Sequence, residues 1–120
     1  HGSWPDAFGY RFTTPDRMIV ISGDTAESDI IEQMCQQCDV LVHEAYSDSA
    51  WERRTPFWQN YHAQFHTSAK ELGRIASRAQ PGLLVLYHQL EWSSTLETLL
   101  DEVRSEFDGE VVNAEDLGVY

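Results

Sequence analysis

A chain of 120 residues, 42% hydrophobic and 12% aromatic, has the material for one domain with a real core, which excludes a disordered segment. Twenty acidic residues against eight basic ones give a formal charge of -12, which argues against nucleic acid as a partner held by a broad basic surface. It leaves room for a local metal site, because a divalent cation reverses the field where it binds.

No apolar run approaches the roughly 20 residues that cross a bilayer, so no membrane partner is expected. The N-terminus shows no signal-peptide pattern and opens on His1 rather than Met, as a processed, tagged or truncated product does. Residues 8 to 13 (FGYRFT) are aromatic-rich and read as a strand. Thr14, Pro15 and Asp16 make a turn, and residues 17 to 22 are a second strand, so the two form a hairpin. Ser22, Gly23, Asp24 and Thr25 follow as a glycine-marked turn. From 28 to 37 apolar residues recur at helical spacing, with Glu27, Asp29 and Glu32 near the start, where the helix dipole favours them. A capping box from Ser28 is absent, since Ile31 stands where Glu or Gln is needed.

Cys35 and Cys38 form a CxxC at the end of that run. The dipole there opposes a thiolate and a zinc site needs two more ligands nearby, so helix-end packing is the expected role, with a redox protein as a rival reading. Two cysteines give no disulfide framework, which makes a cytoplasmic setting the default.

Residues 39 to 44 (DVLVHE) read as a buried strand ending in His43 and Glu44. Residues 45 to 65 lack clear periodicity and hold Trp51, Phe57, Trp58, Tyr61 and Phe65, which reads as an aromatic loop. Residues 67 to 79 are a helix with Leu72, Ile75, Ala76 and Ala79 on its apolar face, stopped by Pro81 and Gly82. A short apolar strand follows at 83 to 87 (LLVLY), with His88 at its end. Ser93 or Ser94 then caps a helix to about 107, and residues 110 to 113 make a last strand. A hairpin followed by helix and strand in alternation predicts an α/β fold with a largely parallel sheet.

Asp24, His43, Glu44 and His88 thus share one address, the C-terminal edge of that sheet, where loops assemble sites. Asp and His are ligand types of zinc, manganese or iron centres. Singly, a strand-end histidine is usually solvated and an Asp before Thr usually caps a turn. Their convergence favours a metal.

The pieces HGSWPDAFGYRF, IVISGDT, CDVLVHEAY, FHTSAKELGRIA and LLVLYHQLEW, in that order, resemble the C-terminal half of the metallo-β-lactamase superfamily, especially its RNase Z and arylsulfatase-like branch. The resemblance implies half of an αββα sandwich: a mixed sheet with helices on one face, formed by residues 1 to 120 as a single domain. It implies a hydrolase using two divalent metal ions, zinc first, with manganese or iron as alternatives. His1, Asp24 and His88 match metal ligands, Asp24 being the one that bridges the two ions. His66 matches the histidine beside the reacting group, a proton donor or oxyanion stabiliser, and His43 and Glu44 match the motif that supports the site from behind. His62 matches nothing and reads as a loop residue.

Two departures shape the expectations. The superfamily's HxHxDH run is missing, so the N-terminal half is expected to be absent, the chain alone inactive, and one apolar sheet face exposed. Either the other half or self-association is expected to cover that face. The long arm of the tRNA-processing members is also missing, since only residues 12 to 21 separate the GYR and SGDT pieces. With the net charge, this favours a small ester, phosphodiester, sulfate ester or lactone, with the aromatic loop lining an apolar pocket. The alternatives are a non-catalytic α/β interaction module and a tRNA 3'-processing endonuclease of the RNase Z type.

Overall fold

The β-branched and apolar segments of the chain pair into one five-stranded sheet in the computed structural model, which describes residues 6 to 120. The strands are β1 (Tyr10–Thr13), β2 (Met18–Ile21), β3 (Val40–Tyr46), β4 (Leu83–Leu90) and β5 (Val111–Asn113), lying side by side in chain order. β1 and β2 form the antiparallel hairpin, and every later pairing is parallel. The mixed sheet with its crossover helices is the architecture expected from the alternating pattern. Among the described residues five helices connect it: α1 (Asp29–Cys35), α2 (Asp48–Glu52), α3 (Pro56–Phe65), α4 (Ala69–Ala79) and α5 (Leu96–Arg104).

One cross-strand row, Val20, Leu41, Leu84 and Val111, is in register and buried. It packs against Ile31 of α1, Leu72 and Ala76 of α4, and Leu99 and Val103 of α5, so these three helices cover a single face. Burying a side chain of this size contributes about 1.5–3 kcal/mol. The next row, Ile21, Val42, Val85 and Val112, points the other way and is half-buried except at Val85, with Tyr10 and Phe12 of β1 beside it more than half exposed.

Several boundaries differ from the sequence expectation, each for a tertiary reason. Residues 45 to 65 are not a loop: Ser47 caps α2 and Pro56 opens α3. Their periodicity is weak because both helices ride at the sheet edge, and only Ala50 and His62 of them are buried. The first turn of α2 is held by Glu102 of α5, whose carboxylate accepts from the amides of Asp48 and Ser49, each at 2.9 Å. β3 runs on to Tyr46 because its amide donates to Thr67 O at 3.0 Å. α5 starts after Thr95, whose hydroxyl accepts from Thr98 N, whereas the Ser93 hydroxyl is held by Arg53. At α4 the sequence offered a signal that was overlooked, the capping box from Ser68 to Glu71.

Cys35 and Cys38 form a disulfide in the core, which corrects the reading of them as unpaired helix-end thiols. The cytoplasmic expectation rested on those thiols and loses that support. No described helix is long and apolar enough to cross a membrane.

The helix layer depends on one close approach. A Cβ placed on Gly73 of α4 would lie 2.6 Å from Val103 O and 2.7 Å from Glu106 Cβ of the α5 segment. Gly73→Ala is therefore expected to lower stability by about 1–3 kcal/mol despite its better helix propensity. Denaturant unfolding measures this, and a variant as stable as the parent would contradict the packing.

Candidate metal centre

Three histidine and aspartate side chains meet at the C-terminal edge of the sheet. β2 ends at Ile21, and Gly23 turns the chain with φ 65, a conformation that suits glycine, so that Asp24 emerges at the edge. The Ser22 amide donates to Val42 O at 3.0 Å, which ties this turn to β3.

His88 reaches the same place by a bulge. Glu44 pairs with Tyr87 and Ala45 with Gln89, so His88 is the extra residue of β4, with φ 45 and an exposed ring. It is therefore not at a strand end, as the sequence implied: β4 resumes beyond it to Leu90. His88 Nε2 lies 3.8 Å from Asp24 Oδ2.

His66 follows α3 in extended conformation, two residues before Ser68, the cap of α4. One donor atom each from Asp24, His66 and His88 lies within 4.8 Å of the others, a donor set that fits a divalent cation. The resemblance placed His66 beside the ligands, and the geometry puts one of its donor atoms within 4.8 Å of those of Asp24 and His88.

Glu44 organises this group from beneath. Its carboxylate is fully buried and accepts from Thr67 N at 2.9 Å and Thr25 N at 3.3 Å through Oε1. Its Oε2 lies 3.3 Å from His66 Nδ1, near enough for charge pairing but poorly aligned for a hydrogen bond. The Thr67 hydroxyl donates to Thr25 O at 2.6 Å, closing the ring of contacts. Burial raises the Glu44 carboxyl above its ordinary value, with His66 and the two amides partly offsetting it. Burial of His66 disfavours its charge, but Glu44 and Asp24 outweigh this and raise its pKa above its ordinary value. The roles of Thr25 and Thr67 were missed from sequence, although each sits beside a residue singled out there.

His43 stands apart from the cluster. It is buried in the row of Leu86 and Asn113, on the helix-covered face, and its Nδ1 lies 2.7 Å from Glu44 O. His62 is not a loop residue: it is buried on α3, Nδ1 2.7 Å from Trp58 O, with burial lowering its pKa. His1 lies outside the described residues. A cavity of about 300 Å³ opens beside the cluster, lined by Phe8, Asp24, Tyr61, Phe65 and His66 among others.

No protein-family model matches the chain. It is 34% identical over 104 residues to a protein of Haloarcula marismortui named Ribonuclease Z, covering 85% of this chain and 31% of that one. Its fold matches the crystal structure of the metallo-beta-lactamase fold protein YhfI from Bacillus subtilis, with TM-score 0.71, 27% identity, and coverage of 88% of this chain and 40% of that one. The chain belongs to the metallo-β-lactamase superfamily. The short form of human tRNase Z shares the metallo-β-lactamase fold seen here, with TM-score 0.64 at 23% identity over 94% of this chain and 36% of that one. This metallo-β-lactamase-superfamily chain spans about a third of the length of the curated relatives it matches.

The burial of His43 has a measurable consequence. Unfolded, it takes up a proton near 6.5; folded, burial holds it to about 4, so between these values the unfolded chain binds more protons. Stability is expected to fall as pH drops through that window, by about 1.4 kcal/mol per unit at most from this group. Unfolding titrations of the parent and of His43→Leu across that range check this: the variant should lose that part of the slope, and equal slopes would refute the assignment.

Proposed function

We propose that the whole protein containing this chain is a metal-dependent hydrolase that cleaves an ester or phosphodiester bond. The observation that carries this is the convergence of Asp24, His66 and His88 within 4.8 Å at the sheet edge, above a buried carboxylate. Superfamily membership supports a hydrolase. The chain's share of its relatives' length leads us to assign turnover to the whole protein rather than to this chain, and to read the half-buried sheet face as the place where the rest of the fold packs.

The donor set suits zinc, and Asp24 and His88 would hold it, with Asp24 shared if two ions bind; manganese and iron are the alternatives. A divalent ion held there supplies Lewis acidity, lowering the pKa of water and polarising a substrate oxygen. His66 is the proton-handling residue. Glu44 beside Nδ1 favours the charged ring, leaving Nε2 to give its proton to the leaving oxygen. His43 is assigned to supporting β3 beneath Glu44. Tyr61 and Phe65 wall the cavity and limit water around that proton transfer.

The expectation that nucleic acid is not a partner is withdrawn. It rested on the charge of this chain, about a third of its relatives' length, and the Haloarcula relative is named Ribonuclease Z. RNA is accordingly the second substrate reading, and a phosphodiester is the bond the two readings share.

The test uses the full-length protein, with bound metal measured by elemental analysis and turnover on a chromogenic phosphodiester, an aryl ester and a short RNA. Asp24→Ala is expected to lose both metal and turnover, and undiminished activity would end the proposal. His66→Ala is expected to retain metal and lose about 10²- to 10⁴-fold in kcat. Loss of metal with His66→Ala would instead make His66 a ligand. Turnover of RNA alone would decide for the second substrate reading.

A further inference from the structure

Beside the metal centre lies a second cleft that the hydrolytic scheme does not use. It holds about 550 Å³ and is lined by Arg53, Arg54, Thr55, Trp58, Trp92 and Ser93, together with Ala50. Among the described residues two arginines and no carboxylate line it, in a chain of charge -12.

The two arginines differ. Arg53 is engaged: its Nη2 donates to Ser93 O at 3.1 Å and to Ser93 Oγ at 3.3 Å. Arg54 lies between two indoles, its Cζ 4.5 Å from the Trp92 ring centroid and 5.4 Å from that of Trp58. Its Nε is buried without a hydrogen-bond partner among the described residues, and no described carboxylate pairs with it. Arg74, Arg78 and Arg104 each pair with an acid. In so acidic a chain, an arginine set against aromatic faces with no described carboxylate paired to it is arranged for an anion that the protein itself does not supply.

The cleft adjoins the metal centre through a run of edge-on and tilted ring contacts. Trp92 meets His62 at 4.5 Å, and His62 meets His66 at 5.8 Å, between centroids. An anion in the cleft would thus belong to a part of the substrate away from the bond that breaks.

We propose that this cleft is an anion-recognition subsite in which the planar guanidinium of Arg54, held between Trp58 and Trp92, receives a phosphate group of the substrate. A guanidinium matches a phosphate with two parallel N–H donors, and the indoles hold it in one orientation without competing for those donors. Arg53, fixed on Ser93, adds a second positive charge at the rim. Naming the ligand a substrate rests on the hydrolase reading; the binding of phosphate does not.

The test titrates the chelator-treated protein with inorganic phosphate at constant ionic strength and follows tryptophan emission, to which Trp58 and Trp92 are two of four contributors. A saturable change is expected that acetate does not reproduce. Arg54→Gln is expected to weaken it by about tenfold or more, and Arg54→Lys, which keeps the charge without the fork, to weaken it severalfold. Asp24→Ala should respond as the parent does, which separates this subsite from the metal centre even if no hydrolysis is found. The proposal is overturned by the absence of a saturable response, by equal affinity in Arg54→Gln, or by a response that Asp24→Ala abolishes. Should circular dichroism show that Arg54→Gln has lost its fold, Arg54→Lys decides alone, and unchanged phosphate affinity in it overturns the proposal.

Discussion

The edge of this sheet is organised by one buried carboxylate. Glu44 lies at zero exposure beneath the candidate centre and gathers two segments that are far apart in sequence: the turn after β2 through Thr25, and the link between α3 and α4 through His66 and Thr67. An ionised group at that depth without partners would cost several kcal/mol. The same contacts that offset this cost set where Asp24 and His66 stand. A chain with an excess of acid thus uses one carboxylate as an internal fastener and offers another, Asp24, to the surface.

Around that fastener the geometry follows from the backbone. A positive φ at Gly23 lifts Asp24 out of the strand direction, and a bulge lifts His88 out of β4. Both are local departures from regular pairing, and both occur where the sheet stops being core and becomes site. The helix layer behind is ordinary by comparison: a buried row from β2 to β5 meets the apolar stripes of α1, α4 and α5. The opposite face carries apolar residues that this layer does not cover, consistent with a chain that spans about a third of its relatives.

What was legible in the sequence is uneven, and the unevenness has physical causes. α4 announced itself because its apolar stripe is deeply buried, while α2 and α3 did not, because helices lying at an edge need little amphipathicity. Asp24, His66 and His88 were singled out from residue type and from the quoted pieces, whereas Arg54 and His62 carried no pattern and acquired meaning only from the rings around them. The cysteines were misread because the dipole argument addresses a free thiolate, and Cys35 and Cys38 are joined to each other in the core.

The sequence by itself determined the sheet, the alternation that makes most of it parallel, and the polar residues that gather at one edge. These depend on periodicity and residue type, which are local. Only the tertiary structure decided which of those residues meet. It set Glu44 and His43 on opposite faces of one strand, brought His66 into reach of Asp24 and His88, and closed the two indoles around Arg54. Contacts of that kind span from 4 to 64 positions of the chain, and they are fixed by register, bulges and packing rather than by any neighbour in sequence.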